Sequence, residues 1–163
     1  MAVLLLSVAL FLGIGQGRTP TPLDDLRAIG DRIVRAVRDK DVVTLLAYDW
    51  PDPRSDSEGS LDDPTSDLYC YVFDSRCNRG RPSVLELFSS WRRLRIQARP
   101  LEANLAVLYF YDATVVSGRG LKSQKVLCRE AGRHVVSWVF KKERGRWVAA
   151  YEPFDFNGES LCR

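Results

Sequence analysis

The stretch from Asn104 to Asp112 constrains the fold more than any other part of the sequence. A strand points successive side chains to opposite faces, and here both sets are apolar. One set is Leu105, Val107, Tyr109 and Tyr111, and the other is Ala106, Leu108 and Phe110. Because both faces are apolar, the segment is predicted to be the central strand of a sheet.

Five further strands are predicted around it. Leu94–Arg99 alternates apolar and polar residues, as a half-exposed strand does. His134–Lys142 and Arg146–Glu152 are separated by a short polar turn and predict a hairpin. Short strands are also predicted at Leu68–Asp74 and at Lys125–Arg129.

The helices are predicted mainly at the N-terminal end. Residues 22–37 begin with proline and two aspartates and repeat apolar residues at helical spacing. A second short helix is predicted at residues 42–48, and Ser83 with Glu86 forms a capping box for a third. Helices that precede most strands predict an α+β fold, with a curved antiparallel sheet wrapped around the N-terminal helices in one cone-shaped domain.

The N-terminus predicts export. The apolar run Leu4–Ile14 is too short to span a bilayer and is followed by small residues, as in a secretory signal peptide. We expect residues 1–17 to be removed and residues 18–163 to form a secreted or periplasmic domain. A short membrane anchor or a mis-started reading frame is the alternative. Residues 50–67, rich in proline and aspartate, are predicted to be a mobile loop, with a lid as the alternative.

The chain has four cysteines, Cys70, Cys77, Cys128 and Cys162. An even number in an exported chain predicts disulfides, and three pairings are possible. We favour Cys70–Cys77 and Cys128–Cys162. Zinc is the competing interpretation, but no C-x-x-C pair occurs and His134 is the single histidine. The sequence therefore predicts no metal and no cofactor.

The element order resembles that of the nuclear transport factor 2-like superfamily, which includes ketosteroid isomerase and scytalone dehydratase. The residues that carry the resemblance are the helical step from Ile33 to Leu46 and the paired segments 135–140 and 146–151. The resemblance covers about residues 24–154. It implies a cone-shaped pocket between sheet and helices, and dimerisation through the sheet. The long insertion, the cysteines and the export signal depart from the family pattern.

Two residues are candidates for acid–base catalysis. Asp112 ends an apolar strand, and a carboxyl group at a pocket floor can have a raised pKa and act as a general base. His134 begins the predicted hairpin and could act as general acid–base beside it. The alternative for Asp112 is that it is simply the first polar residue after a buried strand. The alternative for His134 is that it is a surface histidine next to a turn. This pair predicts, as a minority hypothesis, an isomerase or lyase of hydrophobic substrates.

Aromatic residues with polar groups are candidates for binding a small hydrophobic ligand. We rank Trp138 and Tyr151 first, because neighbouring hairpin strands can point them to one face, and core packing is the alternative role. The full candidate set is Trp138, Tyr151, Tyr48, Tyr71 and Tyr109.

Charge divides the chain unevenly. Residues 1–78 carry 8 basic and 13 acidic groups, whereas residues 79–163 carry 16 basic and 8 acidic groups. The basic sheet could bind an anionic envelope polymer or lipid, or it could face an acidic helical layer. Nucleic acid is not expected as a partner of an exported protein. Our main prediction is a non-catalytic binding module with an aromatic-lined pocket, and an envelope-associated protein is the third hypothesis.

Overall fold

The computed structural model describes residues 22–48 and 61–150. These residues form a single α+β domain, as predicted, with helices packed against a four-stranded antiparallel sheet. The helices are α1 (Pro22–Asp39), α2 (Val42–Leu46), α3 (Asp67–Phe73), α4 (Val84–Ser90) and α5 (Gln124–Glu130). The strands are β1 (Leu94–Glu102), β2 (Leu105–Asp112), β3 (Val135–Glu143) and β4 (Arg146–Ala149). The strand order is β1-β2-β3-β4, so each strand pairs with its neighbours in the chain.

The predicted helix starts are confirmed by their caps. The Asp41 carboxylate accepts a hydrogen bond from the Thr44 N–H at 3.0 Å and begins α2. Ser83 and Glu86 bond reciprocally at the start of α4, which is the predicted capping box. Such caps satisfy N–H groups that have no partner within the helix.

One face of the sheet, here called the helix face, packs against α1, α3 and α4. The ring of Phe110 lies 5.0 Å from the ring of Trp138 and 5.2 Å from that of Phe88, centroid to centroid. All three side chains are fully buried. Offset and edge-on ring contacts at these distances stabilise a core beyond the area that they bury.

Gly30 lets α1 approach the sheet closely. A Cβ atom at this position would lie 2.8 Å from Ile96 Cγ2 and 3.1 Å from Leu108 Cδ2. Real Cβ atoms do not come so close to neighbouring carbons, so the glycine defines the distance between helix and sheet.

The opposite face of the sheet, here called the outer face, is covered by residues 113–130. A second apolar cluster forms there from alternate residues of β2 and β3 together with Val116 and Leu121. Both faces of β2 are therefore buried, and the prediction of a central strand is confirmed. The sheet residues in this cluster are Val107, Tyr109, Tyr111, Val135 and Val139.

The prediction of a sheet wrapped around the helices is corrected by the structure, in which the sheet is not strongly curled. Strong curvature is produced by bulges, and the register of β1 with β2 shifts at one place, between Pro100 and Glu102. The predicted hairpin is confirmed for β3 and β4. Arg144 and Gly145 join them with φ of 48° and 81°, as in the tight turns that match strand twist.

Two predicted strands are helices. Residues 68–73 lie in α3, with Asp74 as its C-cap, and Lys125–Arg129 lies in α5. An apolar run as short as Leu68–Phe73 fits both periodicities, so its N-cap decides. Ser66 accepts a hydrogen bond from the Tyr69 N–H at 3.0 Å and begins α3, which then buries Leu68, Tyr71 and Val72 along one helical face.

The predicted mobile loop 50–67 is only partly described. Within residues 61–67, Leu61 is 1% exposed and belongs to the core, and Asp63 accepts hydrogen bonds from Thr65. This part of the segment is therefore packed. Residues 50–60, the signal peptide prediction and the tail from Tyr151 lie outside the described residues. No helix within residues 22–48 and 61–150 has the length and apolarity needed to cross a membrane.

Candidate functional site

The first predicted disulfide is present. Cys70 and Cys77 are bonded, with Cα atoms 5.3 Å apart, and link α3 to the turn that follows it. Cys128 is also disulfide-bonded, and its predicted partner Cys162 lies outside the described residues. Within the described ranges no three His, Cys, Asp or Glu residues are grouped closely enough to hold a metal ion.

Asp112 has the opposite pKa shift from the one expected of a general base. Burial raises the pKa of this carboxyl, but hydrogen bonds from Thr114 and from the backbone N–H groups of Arg93 and Arg92 outweigh burial and lower it below 3.8. The Thr114 N–H and hydroxyl donate to Asp112 Oδ1 at 2.9 and 2.7 Å. The prediction of a raised pKa was therefore wrong, because an ionised carboxylate closes the turn after β2.

His134 lies directly opposite Asp112 across the sheet, so the structure brings the predicted pair together. The Asp112 N–H donates to the His134 carbonyl oxygen at 3.0 Å, which extends the pairing of β2 with β3. The imidazole is half-buried, and its buried Nδ1 has no hydrogen-bond partner among the described residues. The Asp112 carboxylate already accepts hydrogen bonds from Thr114, so it is not free to act as the base of the pair.

The predicted aromatic set does not share one surface. Trp138 is 1% exposed and packs with Tyr71 and Tyr48 on the helix face. Tyr109 lies on the outer face, in the other cluster. Tyr151 lies outside the described residues. Trp138 and Tyr71 are core residues, and core packing was the role given above as the alternative to ligand binding.

Tyr109 is part of a polar group on the outer face. Burial raises the pKa of its hydroxyl above 10.0, and the neighbouring Arg99 guanidinium, which donates a hydrogen bond to it, acts in the opposite direction. Gln97 is directly opposite Tyr109 in the β1–β2 register, and Ser137 is opposite it in the β2–β3 register. The amide of Gln97, the phenol of Tyr109 and the hydroxyl of Ser137 therefore lie in one row across the outer face, beside the guanidinium of Arg99.

The described half of the chain that contains the sheet, residues 92–150, is strongly basic. It has 13 basic and 4 acidic residues, whereas residues 22–48 and 61–91 have 8 basic and 10 acidic residues. We call these the sheet half and the helical half. In the sheet half, eleven cations form no ion pair with another described residue: Arg92, Arg93, Arg95, Arg99, Arg119, Lys122, Lys125, Arg133, Lys142, Arg144 and Arg146.

These cations concentrate on the outer side of the sheet. Arg95 and Arg99 alternate with Ile96 and Ala98, which pack toward α1, so both arginines project from the outer face. Arg146 is opposite Glu143 in the hairpin and also projects outward, whereas Lys142 lies over the Trp147 ring at 5.7 Å on the helix side. The segment that covers the outer face, residues 113–130, adds four more basic residues and one acidic residue.

The sequence analysis predicted a basic sheet but did not single out Gln97, which lies between Arg95 and Arg99 in β1. The signal was available in the alternation of Arg95, Gln97 and Arg99, which places three hydrogen-bond donors on one side of one strand. Comparison with known proteins adds nothing to this picture: no protein-family description, curated protein or solved structure matches the chain.

Proposed function

We propose that this protein is an exported, non-catalytic binding module that binds an anionic ligand through the outer side of its sheet half. The observation that carries the proposal is the separation of charge between 13 basic and 4 acidic residues in the sheet half and a mixed helical half. A concentrated positive surface attracts and orients anions. The disulfide between Cys70 and Cys77 is consistent with an oxidising compartment.

The cations of the sheet half are available for such a ligand. Arg95 is exposed, and neither it nor Arg93 forms an ion pair with another described residue. An arginine that is not neutralised within its own chain can give two parallel hydrogen bonds to a carboxylate, sulfate or phosphate. A ligand therefore adds interactions here without breaking existing ones.

The isomerase or lyase hypothesis receives less support than the binding module. It requires a carboxyl with a raised pKa, whereas the pKa of Asp112 is lowered by the hydrogen bonds that it accepts. Kinship with the nuclear transport factor 2-like superfamily remains a proposal. The α1–α2 step and the β3–β4 hairpin that suggested it are present, but the strand expected at Leu68 is helix α3.

The test compares two variants with the same net charge. Arg95→Gln/Arg99→Gln removes two charges from the outer face, and Arg32→Gln/Arg35→Gln removes two from exposed positions of α1. Binding to dextran sulfate, to poly-L-glutamate and to vesicles with anionic lipid is measured at two salt concentrations. Circular dichroism verifies that both variants are folded.

We expect the Arg95/Arg99 variant to bind the preferred anion about tenfold more weakly and the α1 variant less than about twofold more weakly. Raising the salt concentration should weaken wild-type binding, because exposed charges are screened. Equal losses in the two variants would mean that net charge alone governs binding, and the proposal would be wrong. Absence of binding to all three probes would also reject it.

A further inference from the structure

Within residues 22–48 and 61–150, the outermost strand β1 has one edge that pairs with no other strand. It is the first strand in the order β1-β2-β3-β4 and pairs with β2 through nearly its whole length. Among the described residues, no backbone hydrogen bond other than those of the β1–β2 ladder involves residues 94–102. Nine residues of strand with an open edge form a template for a further strand.

The register identifies which groups this edge presents. The Ala113 N–H donates to the Arg93 carbonyl oxygen at 2.9 Å, so this residue pair is hydrogen-bonded. Bonded and non-bonded pairs alternate along an antiparallel ladder, and the N–H and C=O groups of Leu94, Ile96 and Ala98 therefore point away from β2. Pro100 is the next residue whose backbone groups point away from β2. Proline has no N–H group, but at this position the N–H would not have bonded to β2.

We propose that this edge binds an acidic, extended segment of a partner protein, which adds to the sheet as a fifth strand. The inference rests on the proposed function and specifies its ligand. A strand paired with β1 would place alternate side chains beside Arg95, Gln97 and Arg99 at about 5 Å between Cβ atoms. Acidic side chains there would pair with the two arginines, which are about 13 Å apart along the strand.

The other side of the added strand would meet apolar surface. Leu94 and Ile96 are half-buried against the helix-face core. The complementary segment therefore alternates acidic or polar residues with apolar ones, in the order acid, apolar, polar, apolar, acid. Backbone hydrogen bonds would contribute affinity, and the alternate side chains would contribute specificity.

A second copy of this chain is disfavoured as the occupant. Antiparallel pairing of two β1 strands centred on Gln97 would place Arg95 of each copy beside Arg99 of the other. Like charges directly opposite each other destabilise a sheet, and natural proteins use them to prevent edges from associating. The charges on β1 therefore select an acidic partner rather than a homodimer through this edge.

The experiment uses the acetylated and amidated peptide Ser-Glu-Val-Gln-Val-Glu-Ser and three matched controls. One control is N-methylated at the residues that would bond to β1, one has the same composition in the order Ser-Glu-Glu-Gln-Val-Val-Ser, and one carries Gln in place of Glu. Affinity is measured by titration with full-length protein, and hydrogen exchange is followed at the amides of Leu94, Ile96 and Ala98.

We expect the alternating acidic peptide to bind at least about tenfold more tightly than each control and to slow exchange at these three amides. The Arg95→Gln/Arg99→Gln variant should lose this preference, whereas Arg32→Gln/Arg35→Gln should keep it. Equal binding of the N-methylated or reordered peptide would overturn strand addition, as would binding to dextran sulfate or anionic vesicles but not to the peptides. In these cases the proposed anion binding would stand, and if no probe binds, both proposals fail.

Discussion

The two faces of the sheet are buried by different means. On the helix face, three helices bury aromatic and aliphatic side chains such as Phe110 and Trp138. On the outer face, a short segment covers residues that include Tyr109 and Ser137, and guanidinium groups project beside them. The comparison separates two roles: the helix face holds the fold together through close apolar packing, and the outer face combines a smaller buried cluster with projecting guanidinium groups such as that of Arg95, which forms no ion pair with another described residue.

The largest expected effect tests the helix face. Phe110→Ala removes a fully buried ring that contacts Phe88 and Trp138, and we expect it to lower the free energy of unfolding by about 3–5 kcal/mol. Urea denaturation followed by tryptophan fluorescence measures the change. Val115→Ala, at a position 52% exposed, serves as control and should change stability by less than about 0.5 kcal/mol. A loss of under about 1 kcal/mol at Phe110 would contradict the division between the two faces.

A smaller effect tests how closely α1 approaches the helix face. Gly30→Ala favours the helix by about 1 kcal/mol through propensity, but its Cβ would overlap Ile96, and overpacking costs about 1–3 kcal/mol. We expect a net destabilisation of about 1 kcal/mol, measured by urea denaturation. In an Ile96→Ala background the same substitution should become stabilising, because the overlapping Cγ2 atom is absent. If Gly30→Ala changed the free energy of unfolding in the same direction in both backgrounds, contact with Ile96 would not be what limits the approach of α1 to the sheet.

The smallest effect tests whether Asp112 is structural. Its folded-state pKa lies below 3.8, so the ionised carboxylate adds stability above that pH, and the contribution disappears as the pH falls through the folded-state pKa. We expect Asp112→Asn to be about 1 kcal/mol less stable than wild type at pH 6, and the difference to shrink only below about pH 4. Denaturation from pH 7 to pH 2.5 measures it, with Asp62→Asn as control. If wild type and Asp112→Asn became equally stable between pH 7 and pH 5, the pKa of Asp112 would instead be raised.

Much of the sheet was predictable from the sequence. The residues of β2 are apolar on both faces, which only a central strand explains, and the turn at Arg144 and Gly145 marks the hairpin. Helices α1, α2 and α4 begin at residues whose side chains suit helix starts. In each case, a strong periodic pattern and the local cap or turn agree.

Other elements were not predictable with the same reasoning. Leu68–Phe73 is apolar at every position, so its period is ambiguous, and the Ser66 cap that decides for helix α3 had been assigned to a loop. Asp112 and His134 are neighbours through a backbone hydrogen bond, and the pKa of Asp112 depends on hydrogen bonds from Thr114 and from the backbone N–H groups of Arg93 and Arg92. Such bonds follow from the tertiary arrangement. The separation of Tyr109 from Trp138 depends on the β2–β3 register, which places Trp138 opposite Leu108 rather than opposite Tyr109.

The strand order has a consequence for how the chain reaches this structure. β1 and β2 are joined by two residues, as are β3 and β4, whereas 22 residues separate β2 from β3. Each tight hairpin can close within microseconds, and joining the two hairpins requires a longer, entropically costlier closure. We therefore expect pairing of β2 with β3 to be the slow step of sheet formation, and substitutions in residues 113–134 to change the folding rate more than those in either tight turn.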